Sequence, residues 1–146
     1  MNPEQNEPPE FEIEADDRAF RLRATSTQRA SRARGILADY IRKHAAPPEA
    51  CEAAELIAGE LLGNVVRHAP GPFEIFLEWD AHASVLHVID TGSGYALRDM
   101  SLPDTMAESA RGLYIVLAFG AKDLRTYRAE DGRHVTRVVL PTRKAR

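Results

Sequence analysis

Three polar side chains recur at four-residue intervals in an otherwise apolar run, Glu60-Leu61-Leu62-Gly63-Asn64-Val65-Val66-Arg67-His68. At about 100° per residue, Glu60, Asn64 and His68 form one stripe of a helix. Ile57, Leu61, Leu62, Val65 and Val66 fill the neighbouring arc, so the stripe borders the core. A carboxylate and an amide in that position need partners, supplied by the protein or by a ligand. Arg67 falls off the stripe and is expected in solvent.

Two further groups carry chemistry. Asp90-Thr91-Gly92-Ser93-Gly94 stands where an apolar strand runs out into a loop. A carboxylate there accepts a hydrogen bond from an exocyclic amine such as that of adenine, and the two glycines let backbone approach a flat ring or a phosphate. Taken alone, the same residues also read as an acidic turn. Glu108-Ser109-Ala110-Arg111-Gly112-Leu113-Tyr114 opens a helix after a long loop. Free N–H groups at such a start attract phosphate, and Arg111 adds charge; ordinary capping by Ser109 is the plainer reading. The order of the three groups is more specific than any one of them.

Other chemistries fail on the same residues. Leu97 stands where a G-x-G-x-x-G pattern needs its third glycine, and no G-x-x-x-x-G-K-[ST] run occurs. There is no G-x-S-x-G elbow for a serine hydrolase. His44, His68, His82, His87 and His134 lack paired metal-ligand spacing. A single cysteine, Cys51, among alanines on a helix, excludes an internal disulfide framework and reads as a small buried side chain.

These residues need elements to position them. Phe11-Glu12-Ile13-Glu14 and Phe20-Arg21-Leu22-Arg23 alternate as half-buried strands. A helix capped by Thr25 or Ser26 carries Ala30, Ala33, Ile36, Leu37, Tyr40 and Ile41 and stops at Pro47-Pro48. A second, from about Glu49 to Ala69, bears the polar stripe and ends at Pro70-Gly71-Pro72. Strands follow at Phe73 to Trp79 and Val85 to Ile89, the latter apolar on both faces and therefore central. A loop from Thr91 to about Thr105 leads to a helix from about Glu108 to Phe119. Lys122 to Ala129 and Arg133 to Leu140 flank an Asp131-Gly132 turn and form a hairpin.

With 146 residues and 44% hydrophobic content, one core is expected: a leader over residues 1–10, a single domain over 11–142 and a basic tail over 143–146. A formal charge of −3 gives no drive toward nucleic acid. No apolar run spans a membrane and no signal-peptide pattern opens the chain, which sets the expectation of a cytoplasmic protein.

Together, the three groups resemble the boxes of the Bergerat-fold (GHKL) ATPases, and among them the small anti-sigma-factor serine/threonine kinases of bacteria. Glu60 to His68 resembles the N box, Asp90-Thr91-Gly92-Ser93-Gly94 the G1 box, and Ala110-Arg111-Gly112-Leu113 the G2 box, with Ala110 where the family usually has glycine. If that position needs a left-handed backbone, the added Cβ costs about 1–2 kcal/mol. No proline follows G1, where Tyr95-Ala96-Leu97 stands.

The resemblance implies an α+β, two-layer sandwich with a mixed, mostly antiparallel sheet and about three helices on one face. It implies ATP and Mg²⁺ as cofactors, with Asn64 on the metal, Asp90 on the adenine amine, Thr136 beside it, Gly92, Gly94, Ala110, Arg111, Gly112 and Leu113 around the nucleotide, and the loop from Tyr95 to Ser109 as lid. An amide oxygen among phosphates and waters suits Mg²⁺. Glu60, one turn away, has the chemistry of a base that orients or deprotonates a hydroxyl. Implied partners are a sigma factor and an anti-sigma antagonist of the STAS type, with a homodimer as the assembly and no direct contact with nucleic acid or membrane. The alternative is an interaction module that binds ATP and transfers nothing. A histidine-kinase reading lacks its paired-helix histidine, since His44 ends its helix just before Pro47-Pro48.

Overall fold

A computed structural model of the chain describes residues 11–80, 82–92 and 119–146. Six strands form one antiparallel sheet in the order β1 (Phe11–Ala15), β2 (Ala19–Ala24), β4 (Phe73–Trp79), β5 (Ser84–Asp90), β7 (His134–Leu140) and β6 (Lys122–Arg128). Two helices, α1 (Ala30–His44) and α2 (Pro48–His68), lie between β2 and β4 in sequence, joined by the two-residue strand β3 (Ala45–Ala46). No helix among the described residues is long and apolar enough to cross a membrane.

Strand alternation decides which face the helices cover. Phe20, Leu22, Phe73, Ile75, Leu77, Leu86, Val88, Val138 and Leu140 point one way and are buried against Leu37, Ile41, Ile57, Leu61 and Val65 of the helices. Arg21, Glu74, Phe76 and His87 point the other way. There Glu74 is buried, and its carboxylate is held by the guanidinium groups of Arg21 and, at 2.7 Å, Arg133. Two charge-assisted donors are what make a buried carboxylate tolerable. The central position expected of β5 is observed, with Val85 and Ile89 buried on the face opposite the helices as well.

Three local expectations change. Strand β1 is an edge strand and mostly exposed, Ile13 included, because only β2 flanks it. Ser26 accepts a bond from the Gln28 N–H, so it caps a single 3-10 turn over Thr27–Arg29 that feeds α1. Residues 143–146 were expected as a tail, yet Arg143–Lys144 form a short strand, β8, paired with β3. The pairing satisfies backbone groups of the α1–α2 connection that the helices leave open.

The helices run antiparallel, with Arg42 of α1 bonded to Glu55 of α2 and Arg34 lying over Gly59. Val66, expected in the apolar arc, is 42% exposed. It lines a surface cleft between the end of α2 and the start of α1 at Ala30 and Ser31. Cys51 is buried, as its alanine neighbours suggest. The hairpin of β6 and β7 has the expected turn, with Gly132 at φ +88°, a conformation that suits glycine. The helix expected from about Glu108 lies almost wholly outside the described residues.

Candidate functional site

The end of α2 and the end of β5 meet at one close contact. Ala69 closes α2, its N–H bonded to the Val65 carbonyl at 2.8 Å. A Cβ placed on Gly92 would stand 2.8 Å from the Ala69 Cβ and 3.1 Å from its Cα. Position 92 is glycine because protein approaches it there, whereas the sequence pattern alone suggests that the missing Cβ makes room for a ligand.

That contact brings the buried polar side chains to one end of the two layers. Asp90, the last residue of β5, has no exposed side-chain surface. Its Oδ1 accepts the Gly92 N–H at 3.0 Å, and its Oδ2 pairs with His134 Nδ1 at 2.9 Å. His134 opens β7 directly across from Asp90 in register, and it too is buried. A carboxylate has about four acceptor positions. These bonds fill two and leave two acceptor positions, the number an exocyclic amine could use. Thr136, two residues along β7 on the same face, is fully buried and diagonal to Asp90.

Asn64 sits five residues before Ala69, which is about 7.5 Å along a helix axis. It is fully buried, although it is an amide among apolar neighbours. Its Oδ1 accepts a bond from Arg67 Nη2 at 2.7 Å. Arg67 is exposed, as its place off the stripe suggests, and its guanidinium nonetheless folds back onto Asn64. Residues three apart on a helix are neighbours, and a Cβ at position 63 would meet the guanidinium no closer than 3.5 Å, an ordinary contact. The bond also bears on the metal assignment, since a buried amide oxygen that already draws a cation has the donor chemistry a hard divalent ion requires. Among the described residues, no group of three or more His, Cys, Asp or Glu could hold a metal. An ion at Asn64 would need ligands beyond these described groups, a bound anion and water among them.

Glu60 is half-buried and His68 exposed, so the stripe passes from partial burial through full burial at Asn64 to solvent. Glu60, Asn64, Asp90, Gly92 and Thr136 all belong to α2, β5 with its outgoing turn, and β7, and α2 packs on both strands. Gly94, Ala110, Arg111, Gly112, Leu113 and the Tyr95 to Ser109 loop lie outside the described residues. Sequence reasoning missed two members of the site. Arg67 had a usable signal in its i, i+3 spacing from Asn64. His134 had none, because its partner is set by strand pairing across more than forty residues.

Residues 22–140 match the family model of the histidine kinase-like ATPase domain. No curated protein matches the chain.

Proposed function

Because the chain belongs to the histidine kinase-like ATPase family, we propose that it binds ATP beside α2 and β5 and passes the terminal phosphoryl group to a serine of a partner protein. The observation that carries the binding is the full burial of two polar side chains, Asn64 and Asp90, on elements that touch at Ala69 and Gly92. Asp90 supplies acceptor positions for the adenine amine, with Thr136 on the same face. Asn64 offers its amide oxygen to Mg²⁺, which when bound neutralises charge on the phosphate oxygens. Gly94, Ala110, Arg111, Gly112 and Leu113 complete the nucleotide wall in this reading.

Glu60 takes the base role. It is half-buried one turn from Asn64, so its carboxylate remains open to an incoming hydroxyl while lying close to the phosphate end of the site. Resemblance to the anti-sigma kinases supplies the partners: a sigma factor held by the protein, and a STAS-type antagonist that carries the serine. In that setting the protein is a cytoplasmic regulator of transcription, working as a homodimer.

The test is transfer of label from γ-³²P-ATP, with Mg²⁺, to candidate STAS partners by the wild type and by Glu60→Ala. Labelled serine is expected with the wild type alone, while both proteins bind nucleotide. ATP bound by the wild type with no transfer to any cognate partner rejects the kinase and leaves an ATP-dependent interaction module.

A further inference from the structure

We infer that His134 is a positioning residue for base recognition: it fixes the carboxylate of Asp90 so that its remaining acceptor positions select a purine carrying an amine at position 6. The inference rests on the reading of Asp90 as the adenine-binding residue and deepens it. Its ground is the geometry of the pair. The two residues are directly opposed on neighbouring antiparallel strands, both side chains are buried, and the Nδ1 to Oδ2 distance is 2.9 Å. An aspartate that accepts from an amine must be in its acceptor form, so the proton of this bond resides on Nδ1.

The Gly92 N–H holds the other oxygen at 3.0 Å. With one donor on each oxygen, rotation of the carboxylate about χ2 breaks both bonds, and that torsion is otherwise broad and soft. His134 thus removes a freedom that Gly92 alone leaves. Without it, Oδ2 in a buried site lacks its imidazole donor and the group turns about χ2, which carries its remaining acceptor positions away from the amine. The consequence belongs to recognition of the 6-amine and spares the ribose and phosphates, which other residues meet in this reading.

The experiment compares the wild type, His134→Asn and His134→Phe for binding of ATP and of purine riboside triphosphate, which lacks the 6-amino group. The asparagine side chain places an N–H near the Nδ1 position, and phenylalanine places none. Wild type is expected to prefer ATP by about tenfold or more. The preference should persist in His134→Asn and shrink to about threefold or less in His134→Phe, with affinity for the analogue little changed. A folded His134→Phe that discriminates as the wild type does overturns the assignment to His134 alone. A wild type that binds both ligands equally overturns the reading of Asp90, and His134 falls with it. If His134→Phe does not fold, the ¹⁵N resonance of the His134 imidazole in the wild type decides. It should shift on addition of ATP and far less with the analogue, and equal shifts overturn the proposal.

Discussion

Asp90 stays buried because Gly92 and His134 each give its carboxylate a donor, and two of its acceptor positions are left over. Replacing it by asparagine keeps the shape, removes the charge behind each of its bonds and turns one acceptor oxygen into a donor. Asp90→Asn is therefore expected to weaken ATP binding by about 1.5–3 kcal/mol, roughly ten- to a hundredfold or more. Calorimetric titration reads this directly, and unchanged affinity removes Asp90 from the nucleotide site. At Asn64 the relevant variable is the metal. Chelation of Mg²⁺ should weaken ATP binding to the wild type, whereas Asn64→Ala should bind weakly and respond much less to chelation. Equal responses of the two proteins take the metal away from Asn64. Both residues were legible in the sequence, for a polar type at an apolar position of a clear period asks for an explanation. Their partners were less so: Arg67 is a helical neighbour of Asn64, but His134 meets Asp90 only through the pairing of β5 with β7.

Helix α2 and strand β5 show what a single missing methyl group does. A Cβ at position 92 would lie 2.8 Å from the Ala69 Cβ, so alanine there has to push the turn after β5 away from the end of α2. Gly92→Ala should cost about 1–3 kcal/mol of stability, the usual range for overpacking. Urea unfolding measures it, and a variant as stable as the wild type shows that the contact yields freely. The periods of α2, β4 and β5 and the Asp131-Gly132 turn could be read from sequence because each is a local signal. The exposure of β1 and the pairing of β8 with β3 could not, since both depend on which neighbours an element has. An alternating pattern announces two faces without saying that anything covers either of them.

Across the whole molecule, the sheet separates an apolar, helix-covered face from one built on Arg21, Glu74, Phe76, His87 and Arg133. Burial, with Arg137 and Arg21 reinforcing it and Glu78 opposing, holds His87 below the ordinary imidazole value of 6.5. The native state then binds fewer protons than the unfolded chain just below pH 6.5, so stability is present above that pH and declines as pH falls through it. Burial works to raise the Glu74 carboxyl, but the bonds from Arg21 and Arg133 outweigh it and set it below 4.5. A second loss is expected as pH falls below that value. Denaturant unfolding against pH should show both losses, and His87→Phe should keep only the lower one; a variant that retains the upper loss clears His87 of it. Sheet order was not legible, because β2 pairs with β4 across both helices and β5 with β7 across a long intervening segment. The short β3–β8 sheet gives the architecture its last consequence. It lies at the end of the sheet where the Ser84 N–H bonds to Thr142, while Ala69 meets Gly92 at the opposite end. Helix α2 is thus supported like a beam at both ends, and the backbone beneath Glu60 and Asn64 is already in place when a ligand arrives. Along that stretch of helix, what is left for binding to order is the side chains.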